Sequence, residues 1–477
     1  MRYLYNTDIL SFEDCINDRF IVCLGPSRYS LMDRIGRIAD AEYKEIRPRF
    51  DGYFTVKNNW KTEMLMDKDG NIICEESKDI DLFTDDDIAL VTELDGSKHW
   101  LTKQGVKFGD EFSDIGCFSG GFGCVMREDG SWTYVDKQMR MANVSFDMVM
   151  PFQHSIDHTY VKKDGKCYII NKNFEILSGP YEDIFWIEKE NGLVVAESKN
   201  EKGKTVYTYY TPDGKQLSRA YEMVHGFKNG LSRVLTKDGY NFIDETGREI
   251  CDRYFMTAWN FGEHFAWVCD FDENREFVHN YVRRDGTMPE TWFPVVGNES
   301  EGLMSVMKGT RSYYIDEHEK IVSKAIKEPG MFHYGVATYS PRKGKVSYLT
   351  KEFVPFNEEF DSAYHFSDGF GKIRIGDTYD AINTHQIKIS EMSRLASEIE
   401  LNPISVCNLP SRFLEDTETV FYLCSHAIDV LDYALASPNY DDISKVQFAR
   451  DRKMIETLKT KARSTMPERK VQMFGED

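Results

Sequence analysis

Histidines, cysteines, clustered acids and glycine-rich loops are the residue types that do chemistry, so their spacing is the first test. His154 and His158 flank Asp157. Residues four apart in an extended strand face the same way, so the pair could share a metal, but no third ligand is evident. Ser119-Gly120-Gly121-Phe122-Gly123 has the glycines of a phosphate loop. Such a loop must open a helix and carry Lys-Ser or Lys-Thr, and this one enters a strand pattern. Asp85-Asp86-Asp87 lacks the alternate spacing of a calcium loop. Glu358-Glu359 with Asp361, and Asp441-Asp442, read as solvated turns or caps. No Gly-x-Ser-x-Gly elbow, HExxH or kinase set occurs. The sequence therefore assigns no catalytic residue, no cofactor and no metal site.

The ten cysteines are scattered and form no CxxC pair. That pattern reads as small buried apolar side chains in a reducing compartment. The formal charge of -20 argues against nucleic acid and anionic membranes as partners. No apolar run reaches the 18 residues of a membrane span, and Asp8 interrupts any signal-like apolar region. The expected location is cytoplasmic.

What the sequence carries instead is a repeat. Gly, an apolar residue, two variable residues and an aliphatic recur at 52–56, 121–125, 230–234, 302–306 and 369–373. Each is followed by a polar turn, often Asp-Gly, and an aromatic-rich strand ending in a polar residue. Those ends fall at Asp67, Thr102, Asp136, Asn171, Thr211, Asp244, Arg284, Asp316, Thr350 and Asn383. Successive gaps of 35, 34, 35, 40, 33, 40, 32, 34 and 33 residues define about ten units. Alternating apolar runs across Asp-Gly turns are hairpins, and a third extended stretch leads to pairs such as Phe146-Asp147 and Tyr221-Glu222. Three short strands cannot bury a core alone, so the units must stack.

These phrases resemble the WG (also called KWG) repeat family of bacterial proteins. The best local match is Asp129-Gly130-Ser131-Trp132-Thr133-Tyr134-Val135-Asp136, with Trp132 in the signature place. The signature Trp-Gly pair itself is absent: Thr133 replaces the Gly, and Cys167, Tyr207 and Val346 take the Trp place elsewhere. The resemblance covers residues 45 to 387 and implies a repetitive β architecture with no catalytic residues.

The expected fold is therefore mainly β. Residues 1–42 form an N-terminal cap, 43–387 a tandem array of about ten three-stranded units, and 388–477 a helical segment. The array is expected as an open superhelix, with a closed propeller-like ring as the alternative. In the helical segment Ile389, Met392, Leu395, Ala396 and Ile399 share one face, and Asp416 caps a second helix lined by Val420, Phe421, Cys424, Ile428, Leu431 and Leu435. A polar third helix follows Asp441. From Asp441 onward nine Lys/Arg face seven acids, a mildly basic tail on an acidic chain.

Two units are longer, with the extra residues in the hairpin near Glu197–Thr205 and Asp270–Asn280. Insertions in repeat arrays map to one face, often the binding face. Lys202, Lys204, Asp272, Arg275 and Phe277 are accordingly the candidate partner-binding residues. Periodic Tyr134, Tyr168, Tyr209, Phe242 and Tyr314 read as core, whereas Trp186, Trp259, Trp267 and Trp292 lie off the period and could line a surface for a peptide or glycan. The function expected is a non-enzymatic protein-binding scaffold. The alternatives are a structural part of a larger assembly, such as a virion or secretion particle, and an enzyme or glycan binder with a site built from inter-repeat loops.

Overall fold

The structure, a computed structural model, describes residues 2–153 and 155–466. The chain is mainly β, built from small antiparallel sheets and ending in a helical segment. It forms two compact bodies. One comprises residues 1–48, 334–336 and 341–477; the other comprises 49–333 and 337–340.

One turn recurs in every unit. The residue ending the aromatic strand accepts the N–H of the residue three later and exchanges a further backbone bond with the residue four later, as in Asp244 with Gly247 and Arg248. Its side chain completes the turn: Asp244 Oδ1 accepts the N–H groups of Thr246 and Arg248 at 3.0 and 3.1 Å. Asp67, Asp136, Asn171, Asp316 and Asn383 do the same in their units. This is why the units end on Asp, Asn or Thr: a short polar side chain supplies an acceptor for the turn N–H groups, two of them for Asp and Asn and the one four residues on for Thr102, Thr211 and Thr350. In the second of the two long units the backbone pattern centres on Arg283, bonded to Gly286 and Thr287, so the equivalent residue is Arg283 and not Arg284. Replacing Asn171 by alanine removes two such bonds, and its Nδ2 bond to Glu175 besides, and is expected to cost about 1–2 kcal/mol, read from urea unfolding; Asn171→Asp keeps the two turn bonds but sets a second carboxylate against Glu175, so it should recover only part of the loss.

The same turn appears once more, in the N-terminal segment. Asp33 Oδ1 accepts from Ile35 and Arg37 at 3.1 and 2.9 Å, and Gly36, at φ +77°, donates to Asp33 O. Asp33 precedes Asp67 by one period. The five-stranded sheet of Arg2–Ile38 is thus built as an eleventh repeat, although the sequence marks it only as a cap.

Each hairpin is flanked by an inner first strand and an outer segment. Three units form four-stranded sheets. In others the outer segment pairs through single bridges, such as Tyr207 with Tyr221, Tyr240 with Phe255 and Val346 with Phe360. That outer segment is the third extended stretch read from the sequence; the first strand, only two residues long at Met223–Val224 and Thr257–Ala258, is the one the sequence did not mark, because two residues carry no alternating run.

Units lock together through a buried aromatic two residues before the turn. Trp100, Tyr134, Tyr209, Tyr314 and Tyr348 each donate to the carbonyl 16 residues later, in the next unit's first-strand segment: Gly116, Met150, His225, Gly330 and Tyr364, at 2.5–3.0 Å. Burial pushes all four of these tyrosine hydroxyls well above their usual range, so they remain donors.

In the body holding both chain ends, Ser367 Oγ donates to Cys15 O at 2.7 Å. The register is that of Ser300 Oγ donating to Phe332 O between successive units of the other body. The last repeat therefore meets the first as any repeat meets its successor, and Phe20 packs edge-on against Phe370 at 5.4 Å. Helices α1 (Ile389–Leu401), α2 (Ser411–Leu414), α3 (Thr417–Ala436) and α4 (Asp442–Thr465) close this body. Ile389, Met392, Ala396 and Ile399 of α1 and Val420, Cys424, Ile428 and Leu431 of α3 share one core with Phe12, Val22, Met32 and Ala381. Asp416 caps α3 through Thr419 N, and Asp441 caps α4 through Ser444 N.

Candidate functional site

The two long hairpins are stiffer than their lengths suggest. Val194–Lys199 and Thr205–Tyr210 pair throughout, as do Phe265–Phe271 and Phe277–Arg283. Both end in a tight turn of the repeat's own kind. Asn200 Oδ1 accepts from Lys202 and Lys204 at 3.0 Å, and Asp272 Oδ1 from Asn274 and Glu276 at 2.8 and 2.9 Å. The extra residues lengthen strands rather than loosening a loop. Lys202, Lys204 and Arg275 are exposed, and Arg275 holds a φ of +63° within the Asp272 turn. Phe277, 60% exposed, stacks on Phe271 at 5.0 Å. The two tips belong to different sheets, with the Met223–Asp244 sheet between them in the chain.

A second group, invisible as a motif, lies on the first strands of three consecutive units. Ile184, Val224 and Ala258 occupy the same rung, paired to Ala196, Val234 and Val268. The next residues along are Phe185, His225 and Trp259. Phe185 stacks on Trp186 and Tyr207 at 4.4 and 4.6 Å. Trp259 is 45% exposed. Arg233 sits between two rings, 5.5 Å from Tyr240 and 5.7 Å from Trp259. Its Nη1 donates to Ala258 O, and its Nη2 lies 3.2 and 3.0 Å from the two ring nitrogens of His225. Its Nε is buried with no hydrogen-bond partner. Among the described residues no carboxylate comes within ion-pair distance of Arg233.

Burial, and then the charge of Arg233, push His225 down to about 4. It is neutral at pH 7 and can accept from the guanidinium. Because the folded value lies below the ordinary 6.5 or so, its contribution to stability is complete above that pH and is lost as pH falls through about 4. An NMR titration of His225 is expected to show a midpoint near 4 and a rise toward the ordinary value in Arg233→Met.

Of the tryptophans singled out by sequence, Trp259 faces solvent. Trp186 donates to the buried Glu188, which also accepts Phe227 N of the next unit at 3.1 Å. Trp267 packs on His279, and Trp292 lies under Arg253. Sequence reasoning missed Arg233 and His225: Arg233 fills a variable place in a Gly230–Val234 repeat phrase.

The remaining sequence candidates become joints. His154 lies outside the described residues. His158 bonds Gly192 O at 2.8 Å, and the Asp157 side chain is open to solvent. Asp86 is buried, accepts Gly121 N at 2.7 Å and pairs with Lys137. Among the described residues no three His, Cys, Asp or Glu gather as a metal would require, and no helix is long and apolar enough to cross a membrane.

The fold and this surface define a β-repeat protein with an inter-repeat aromatic–cationic patch. No family model matches the chain, and no curated protein matches it. Among solved structures, the crystal structure of BamB from Moraxella catarrhalis is similar over 58% of this chain and 92% of that one, with 10% identity and a TM-score of 0.24.

Proposed function

We propose that this chain is a non-catalytic scaffold that binds another protein, and that the contact surface is the first-strand row of Phe185, His225 and Trp259 with Arg233 of the neighbouring strand beside it. The observation that carries this is Trp259, nearly half exposed and backed by an arginine with no acid of its own. Exposed aromatics beside arginine are the composition of binding hot spots. The thiols support a non-catalytic reading: burial pushes Cys167 up to about 11 and Cys251 and Cys424 up to about 12, away from nucleophilic use. All ten cysteines are free, which supports a reducing, cytoplasmic setting. The period and turn chemistry support kinship with degenerate WG repeat proteins, and the stiff tips carrying Lys202, Lys204, Asp272, Arg275 and Phe277 form a second candidate surface.

The test is capture of partners from the protein's own cell lysate by the full chain and by its Trp259→Ala variant. A partner lost with Trp259→Ala but kept by Phe277→Ala supports the first-strand surface. The reverse pattern moves the contact to the hairpin tips. Capture unaffected by either variant removes both surfaces from the reading.

A further inference from the structure

We propose that Arg233 is the anchor for a carboxylate presented by a polypeptide partner, with Trp259 covering an apolar residue beside that carboxylate. This rests on the scaffold reading above and names the chemistry of its partner. The argument begins with charge. The chain carries 79 acids against 59 bases, so a carboxylate is the easiest neighbour for any arginine to find. The most buried arginines have found theirs: Arg34 pairs with Asp18 and Glu418, and Arg49 with Asp51. Arg233 has not. Arg127 also lacks an acid, but it gives Nη2 to the carbonyls of Ala142 and Val144, and among the described residues no ring flanks it.

Arg233 is instead desolvated with weak compensation. Burial pulls its own ionisation downward, the penalty of a charge without a counter-charge. Its Nε hydrogen is unmade, and its Nη2 rests on a neutral imidazole. A guanidinium presents its Nε–Nη2 edge to a carboxylate through two parallel bonds. Rotation of His225 off that edge would open it. The flank is apolar: Trp259 is 45% and Met223 is 42% exposed, both on first strands of adjoining units. One cation beside exposed apolar surface fits an acidic side chain or chain terminus next to a hydrophobic residue. A nucleic acid or an anionic membrane would bring many negative charges against a chain of net charge -20, which disfavours both.

The experiment uses the full chain with labelled histidine and the probe N-acetyl-Phe-Glu-amide. Titration is expected to shift the His225 resonances saturably and to raise the His225 titration midpoint, because an anion at Arg233 favours the imidazolium. N-acetyl-Phe-Gln-amide should bind about tenfold more weakly. Arg233→Met should abolish the shift, and Trp259→Ala should weaken binding about tenfold while leaving the Glu/Gln discrimination intact. If Arg233→Met fails to fold, Arg233→Lys decides: it keeps the charge but not the fork, and binding should fall about tenfold. Equal binding of the Glu and Gln probes overturns the proposal. So does an equal response to inorganic phosphate or to a DNA oligonucleotide, which would make the site a general anion site. If the Glu probe leaves His225 unmoved while Trp259→Ala still loses its captured partner, acid recognition falls and the scaffold stands. If capture is also indifferent to Trp259, both fall.

Discussion

Replacing Trp100 by alanine is expected to destabilise the tryptophan-bearing body by about 3–5 kcal/mol. Trp100 is fully buried, meets Phe108 and Phe118 at 5.4 and 5.2 Å, and spans two units through its bond to Gly116 O. Its ring also explains a glycine. A Cβ on Gly123, in the next unit's hairpin, would lie 2.6 Å from the indole and 2.7 Å from Phe118. Gly371 stands in the same relation to Tyr348 and Phe366. Where the repeat phrase has glycine at its third place, at Gly123 and Gly371, that glycine is the slot that receives the previous unit's aromatic. Gly123→Ala is expected to cost about 1–3 kcal/mol by overpacking. Trp100→Phe should cost about the same, because Gly116 O loses its buried donor. The double variant should cost less than the sum, since the smaller ring vacates the slot. All seven tryptophans lie between residues 60 and 292, so fluorescence-monitored urea unfolding reports this body. A cost under about 1 kcal/mol for Trp100→Ala would sink the inter-unit lock.

The repeat was legible because its turn chemistry is local. Asp or Asn at the end of an aromatic strand satisfies turn N–H groups two and four residues on, Thr the one four on, and that requirement leaves a mark in sequence. The mark slips where the side chain has no acceptor to offer: the Arg283 side chain can only donate, here to Thr287 Oγ1, so the turn N–H groups get nothing from it, and the polar residue beside it, Arg284, read as the end of the unit. In the N-terminal unit the turn mark persists at Asp33, but the Gly-apolar phrase disappears. There Asn17 and Asp18, at φ +55° and +64°, stand where other units carry the glycine of the Gly-apolar phrase. Asn and Asp tolerate that conformation, so the fold survives without the signal. The stacking partners were not legible at all, since a bond from Tyr134 to Met150 O depends on how units stack and not on any local pattern. The binding surface sits between these cases. Trp259 stood out for breaking the period, but Arg233 and His225 matter only because two units bring them together. The long hairpins were visible as extra length; that the length is paired strand followed from the Asn200 and Asp272 turns.

Removal of the Arg34 side chain is expected to be the costliest single change in the other body, by about 3–5 kcal/mol for Arg34→Ala. Arg34 is 4% exposed and belongs to the first repeat. It pairs with Asp18 at 3.0 Å and with Glu418 of α3 at 3.1 Å, and donates to Asp368 O of the last repeat at 2.9 Å. Phe370 and Tyr422 cover its face at 4.7 and 5.6 Å. One guanidinium thus ties the first repeat, the last repeat and the helical segment, and its loss removes two ion pairs and a donor to a backbone carbonyl at once. The expected cost comes from losing those bonds together with the packing of the buried side chain against Phe370 and Tyr422. That makes a sharp comparison: Arg34→Met keeps an apolar stem against Phe370 and Tyr422 and should recover part of the loss that Arg34→Ala shows. Both signals are separable in one sample. The four helices all lie in this body, so ellipticity at 222 nm follows it while tryptophan fluorescence follows the other. Arg34→Ala should move the ellipticity transition, and Trp100→Ala the fluorescence transition. If either variant moves both transitions equally, the two bodies unfold as one cooperative array, and each lock stabilises the whole chain rather than its own part.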